Sequence, residues 1–217
     1  MSARPAVLLT NDDGIDATGI RALYDALEPV ADVTVVAPAT DRSGMSRSDS
    51  NAFTVEERAE GYAVDGTPVD CVHFARGKLE REFDVVVSGC NDSPNLGAHK
   101  IERSGTVCAA IEAGFLGLPG IALSLYDSVT GSREFGRDEY ADAERITRYL
   151  VRETLGSAIG GRSTTSTSTC PPASPTRGSG SRSRPTTSTC GSTSDRTAPT
   201  APGITSTTHW IPAWTSI

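Results

Sequence analysis

Two acidic residues with nothing between them, Asp12 and Asp13, stand directly behind an apolar run in the stretch VLLTNDDG. Like charges at that spacing repel, and burial beside an apolar strand penalises both unless something positive compensates. A turn, a helix cap or a bound cation would each account for the pair. Two more polar groups follow apolar runs in the same way: Ser43 in DRSGMS, after VTVVAP, and Asn91 in SGCN, after FDVVV. Two carboxylates, a hydroxyl and an amide oxygen are hard oxygen donors, which suit Mg2+, Mn2+ or Ca2+ rather than zinc. Singly, each has a plainer reading: N-D-D-G is a good turn, Asp before a helix is a good cap, Ser43 is a loop hydroxyl and Asn91 a turn residue. Their common placement behind three apolar runs favours the cation.

A fourth cluster, RSGT, spans Arg103 to Thr106. Ser104 and Thr106 open a small-residue helix, where unpaired backbone N–H groups and the helix dipole favour an anion. A plain N-cap is the simpler account of Ser104 alone. A phosphate held there, facing a cation on neighbouring loops, describes metal-assisted phosphoester hydrolysis. Other chemistries lack their motifs. No H-E-x-x-H, G-x-S-x-G or strand-following G-x-G-x-x-G occurs, and His73, His99 and His209 are scattered. The five cysteines form no C-x-x-C pair; Cys71, Cys90 and Cys108 lie in apolar stretches and read as small buried residues.

The elements that must position these groups alternate. AVLLT reads as a buried strand, TGIRALYDALEP as a helix with apolar residues at Ile20, Leu23, Tyr24 and Leu27, and DVTVVAP as a second strand, which together make a βαβ unit. Residues 38–51 are polar and long for a structureless connection, which hints at a functional loop. AFTVEER and YAVDG suggest an edge ribbon. GTPVDCVHFARGKL begins with Thr67 as N-cap and Pro68 at the first helical position. FDVVVSG is another buried strand, CNDSPNLGAHKIER a loop, SGTVCAAIEAGFLG a helix, GIALSL a strand and DEYADAERITRYLVRETL an amphipathic helix. This alternation predicts a three-layer α/β fold, a doubly wound, Rossmann-like and mostly parallel sheet, with ligands beyond the strands' C-terminal ends.

Taken in order, LLTNDDGIDATGIRAL, VVAPATDRSGMS, GTPVDCV, VVVSGCNDSPNLG and SGTVCAAIEAG…GLPGIALSL resemble the SurE family, the survival-protein 5′/3′-nucleotidases, over about residues 6–127. The resemblance implies a metal-dependent phosphomonoesterase acting on nucleoside monophosphates, and a homo-oligomer. It implies Asp12, Asp13, Ser43 and Asn91 as ligands of one divalent cation, Mg2+ or Mn2+, with Asn11, Ser104 and Thr106 beside the phosphate. Asp12 or Asp13 would orient or deprotonate the attacking water. The chain departs from the family pattern at Ala17-Thr18-Gly19, at Arg103, and at Asp92 and Ser93. The rival functional reading is a nucleotide- or phosphate-binding module without turnover, and a third is a misfolded product.

Composition bounds the rest. The chain has 217 residues and a net charge of −7, and residues 1–157 hold 15 of the basic and 26 of the acidic side chains. An acidic body argues against general nucleic-acid binding. No apolar run is long enough to span a bilayer and no signal pattern opens the chain, so a cytoplasmic location is expected. A body with only two lysines fits a high-salt cytoplasm or a GC-rich genome. The domain is expected to cover residues 1–156. Residues 157–217 form a low-complexity Ser/Thr/Pro/Arg tail that cannot build a core, predicted to be disordered or frame-corrupted. A one-base shift in GC-rich codons turns Thr into Asp, Asn, Tyr or His and Ser into Val, Leu, Ile or Phe. Residues 163–171, STTSTSTCP, then become V-D-Y-L-N-V-N-V-P, which alternates like a strand and resembles the family's strand at this point. The further sheet, hairpin and oligomer-forming extension of the family are not recognisable in the tail as printed.

Overall fold

The computed structural model describes residues 4–157, 165–170 and 208–210. Strand β1 (Ala6–Thr10) leads through helix α1 (Thr18–Leu27) to β2 (Asp32–Pro38), which lies parallel to β1 with Ala6 opposite Asp32. The antiparallel ribbon β3 (Val55–Arg58) and β4 (Gly61–Val64) extends that edge, β4 joining β2 in parallel. Helix α2 (Pro68–Lys78) then carries the chain across to β5 (Val85–Asn91), which pairs in parallel with the other side of β1. Helices α3 (Ala98–Arg103) and α4 (Gly105–Phe115) precede β6 (Gly120–Leu125), and a 3-10 turn at Arg137–Tyr140 runs into α5 (Ala141–Ser157). Strands β7 (Thr165–Cys170) and β8 (Thr208–Trp210) follow, giving the order β3-β4-β2-β1-β5-β6-β7-β8 among the described residues. The predicted doubly wound α/β sheet is the observed one.

Helices cover both faces, which is why the central strands are continuously apolar rather than alternating with polar residues. Val7 and Leu9 of β1 and Val85 and Val87 of β5 point to one side, where Leu23 and Leu27 of α1 meet Ile146 and Val151 of α5. Leu8 and Val86 point to the other, against Val72 and Ala75 of α2 and Ala109 and Ala113 of α4. The expected Thr67 cap is a reciprocal one. Thr67 Oγ1 accepts from the Asp70 N–H at 3.2 Å, and the Asp70 carboxylate accepts from the Thr67 N–H at 2.7 Å.

Two segments differ from the sequence reading. Residues 98–103 are helical where a loop is predicted; AHKIER has good helix formers, but none of its residues is buried, so no apolar rhythm marks it. Within the predicted disordered tail, Thr165–Cys170 is a strand parallel to β6, and Thr208–Trp210 lies antiparallel to it. β-branched threonine suits a strand, and β6 offers it a backbone ladder. The remainder of the tail expectation falls outside the described residues. No helix among the described residues is long and apolar enough to cross a membrane.

Candidate active site

The sheet has one topological switch point. From β1 the chain moves to β2 on one side and later returns to β5 on the other, so the loops after β1 and β5 part and leave a crevice at their C-terminal ends. Asn11, Asp12 and Asp13 leave β1 there, and Asn91 closes β5.

The turn Asn11–Gly14 is held from within. The Asn11 side-chain amide donates to the Gly14 carbonyl at 2.8 Å, and Gly14 has φ of +102°, a left-handed conformation that favours glycine. Asn11 is fully buried, and its Oδ1 has no hydrogen-bond partner among the described residues. Asp12 is 3% exposed. Its carbonyl accepts the Arg42 N–H at 2.7 Å, which hangs the loop after β2 on the residue that leaves β1. Its carboxylate accepts the Thr106 hydroxyl.

Helix α4 begins directly against Asp12. Ser104 caps it, Oγ accepting from the Val107 N–H at 3.2 Å. A Cβ on Gly105 would lie 2.9 Å from Asp12 Cβ and 3.0 Å from its Oδ2, so only glycine admits this approach. The partly positive helix start therefore faces a buried carboxylate.

The second loop is fastened at several points. Thr67 Oγ1 donates to the Ser48 carbonyl at 2.7 Å, and Ser50 donates to Asp70 through both N–H and hydroxyl at 2.8 Å. Burial pushes the Asp70 carboxyl up, but the hydrogen bonds from Thr67 and Ser50 outweigh it and leave the pKa below the ordinary value. Ser43 is exposed on this loop, and its N–H and hydroxyl both donate to Asp41 Oδ1, at 2.7 and 2.6 Å. Asn91 is buried, and its amide nitrogen donates to the Ser93 carbonyl at 2.9 Å and hydroxyl at 3.0 Å. With the nitrogen held by Ser93, the planar amide turns its oxygen the other way.

The carboxylates repel. Burial raises the Asp12 pKa, opposed by the Thr106 hydrogen bonds. Asp13 is pushed up to about 8, first by burial and then by the charges of Asp12, Asp92 and Asp41. No Lys or Arg among the described residues forms an ion pair with Asp12 or Asp13. No set of three or more His, Cys, Asp or Glu side chains converges as a metal site among the described residues. The donor set that fits a hard cation here is instead mixed: two crowded carboxylates with neutral hydroxyl and amide oxygens.

The structure thus joins Asp12 to Thr106 directly, places Ser104 at the same helix start, and puts Asn11 and Asp13 on either side of Asp12. Ser43 follows Arg42, which ties this loop to Asp12, and its own hydrogen bonds go to Asp41. Sequence reasoning missed Asp41, Gly105 and the pair formed by Asp92 and Tyr140, whose hydroxyl donates to Asp92 Oδ1. The Asp-x-Ser spacing signals the Asp41 turn; nothing local signals a tyrosine 48 residues away. His73 bonds Glu112 on the surface and His99 is exposed, while Cys71, Cys90 and Cys108 are buried as expected.

The chain is similar to known proteins in sequence and fold. A family model described as survival protein SurE matches residues 7–182. A 5′-nucleotidase SurE of Natronomonas pharaonis is 52% identical over 158 residues, covering 70% of this chain and 61% of its own. One of Haloarcula marismortui is 46% identical over 160 residues, covering 71% and 60%. The crystal structure of a SurE protein from Aquifex aeolicus superposes with a TM-score of 0.68 at 35% identity, covering 78% of this chain and 67% of that one. The chain spans about three-fifths of the length of the curated relatives it matches.

Proposed function

The chain belongs to the survival protein SurE family, and from that premise we propose that it is a divalent-metal-dependent phosphomonoesterase, hydrolysing nucleoside 5′-monophosphates, and 3′-monophosphates as well, to nucleoside and phosphate. The observation that carries the reading is the contact of α4 with Asp12: a helix start suited to a phosphate stands against two crowded carboxylates suited to a cation. The names of the relatives, 5′-nucleotidase, support the substrate class.

Asp12, Asp13, Ser43 and Asn91 would hold the cation, Mg2+ or Mn2+. When bound it supplies Lewis-acid polarisation of the phosphoryl group and lowers the pKa of the attacking water. Thr106 fixes the Asp12 carboxylate through its hydroxyl. The start of α4, with the Ser104 hydroxyl and the Asn11 amide, receives the phosphoryl oxygens and stabilises the charge that grows on them, while Thr106 acts beside the phosphate through Asp12. In its ionised form Asp13 accepts at Oδ a proton from the water whose oxygen forms the new bond to phosphorus. The P–O ester bond breaks, and the departing nucleoside oxygen is protonated from solvent. The family resemblance also supports a homo-oligomer.

The test is phosphate release by the full chain from a panel of 5′- and 3′-nucleoside monophosphates. Asp12→Asn is expected to cut turnover by on the order of 10²-fold or more, within the range for loss of one electrostatic stabiliser. Absence of release from every member of the panel, with the protein folded, overturns the proposal.

A further inference from the structure

We propose that Asp41 is a positioning residue that sets the Ser43 hydroxyl for cation binding. The inference rests on the functional reading above. A serine hydroxyl has one proton and two lone pairs, and it donates metal-ward electron density best when its proton is spent elsewhere. Here the proton goes to Asp41 Oδ1 at 2.6 Å, and the same oxygen takes the Ser43 N–H at 2.7 Å. A carboxylate acceptor makes the first of these a charge-assisted bond, which polarises Oγ and fixes its rotamer. Both lone pairs of Oγ then remain for a ligand.

The placement is set by the backbone between the two residues. Arg42, which separates Asp41 from Ser43, donates its N–H to the Asp12 carbonyl at 2.7 Å. The Asp41–Ser43 pair therefore straddles the point where this loop is attached to the carboxylate strand end. Partners of this kind, hydrogen-bonded to a metal ligand, change metal affinity by about 10- to 100-fold when removed.

Two plainer roles compete: a turn that only shapes the loop, and a bare negative charge that attracts any cation. A double-mutant cycle separates them from positioning. Mn2+ affinity is measured by electron paramagnetic resonance on the full-length chain, unaltered and as Asp41→Ala, Asp41→Asn, Ser43→Ala and the double variant Asp41→Ala/Ser43→Ala, with melting temperature read on each. Asp41→Ala is expected to weaken Mn2+ binding by about 10- to 100-fold. Asp41→Asn, which keeps an acceptor oxygen in place, recovers part of that loss. In the Ser43→Ala background the Asp41→Ala effect disappears, because the hydroxyl through which it acts is gone. Unchanged affinity in Asp41→Ala, or a full-sized effect that persists without Ser43, overturns the inference while leaving the metal reading intact. Absence of Mn2+ binding by the unaltered folded chain overturns the metal reading and this inference with it.

Discussion

Replacing Gly105 by alanine adds one methyl group at the most constrained contact of the candidate site. The new Cβ would stand 2.9 Å from Asp12 Cβ, 3.0 Å from Asp12 Oδ2 and 3.1 Å from Pro68 Cγ. Carbon–carbon contacts settle at about 3.5–4.0 Å, so Asp12, or the start of α4, must give by roughly 0.5–1 Å. Asp12 is buried and tied through Thr106, and Pro68 opens the capped helix α2, so no flexible side-chain end absorbs the shift. Overpacking of this kind costs about 1–3 kcal/mol of stability. A displacement near 1 Å at a reacting centre costs on the order of 10²-fold in rate. The expected result is a kcat/KM for phosphate release lowered by about 10- to 100-fold, with a protein that still unfolds cooperatively. Gly77→Ala in α2 is the control: its Cβ would meet nothing within 4 Å. That variant should keep full activity and gain about 0.4–1 kcal/mol. Gly105→Ala with unaltered kcat/KM and Mn2+ affinity would refute the argument that the helix start and Asp12 work as one unit.

Three further outcomes are expected. In the metal-free protein, Asp13 keeps its proton in the fold up to about pH 8 but loses it near the ordinary carboxylate value when unfolded; stability therefore falls as pH rises from about 4 towards 8, by on the order of a few kcal/mol. Asp13→Asn should flatten that dependence in urea titrations with chelator present, and a slope that survives the substitution contradicts it. Ser104→Ala should weaken both turnover and inhibition by inorganic phosphate, beyond the melting shift that loss of a cap worth about 0.5–2 kcal/mol would cause; a variant that only melts earlier shows Ser104 to be a cap alone. For the tail, the gene across codons 150–217 should carry an open frame one base away that encodes a family-like strand at residues 163–171, and stop codons in that frame would count against the frameshift.

The central elements were legible because both faces of the sheet are covered, so β1, β2, β5 and β6 appear as apolar runs and α1 as a periodic stripe. Thr67-Pro68 and Ser104 marked two helix starts correctly because a cap is a local signal. Helix α3 was illegible since it buries nothing. β7 was illegible in the residues as printed, since its Thr and Ser carry no apolar alternation and its ladder with β6 comes from distant pairing; only the shifted frame of residues 163–171 marks a strand there. At the site, the polar residues behind three strands were readable from sequence, because open α/β sheets gather such residues at one end. The contacts that organise them were not. Gly105 against Asp12 and Tyr140 on Asp92 join segments far apart in the chain. Asp41 lies only two residues from Ser43, yet the value of that spacing emerges only once Arg42 is seen bonded to Asp12.

The proposed activity needs a cation that Asp12 and Asp13 would help to hold. Its most direct test is phosphate release from a nucleoside monophosphate by chelator-stripped full-length protein, titrated with Mn2+ while bound metal is counted. The expected result is no release in excess EDTA, with activity returning in proportion to bound Mn2+ and saturating at one ion per chain. Hydrolysis that continues undiminished in excess EDTA, with no metal retained by the protein, would contradict it.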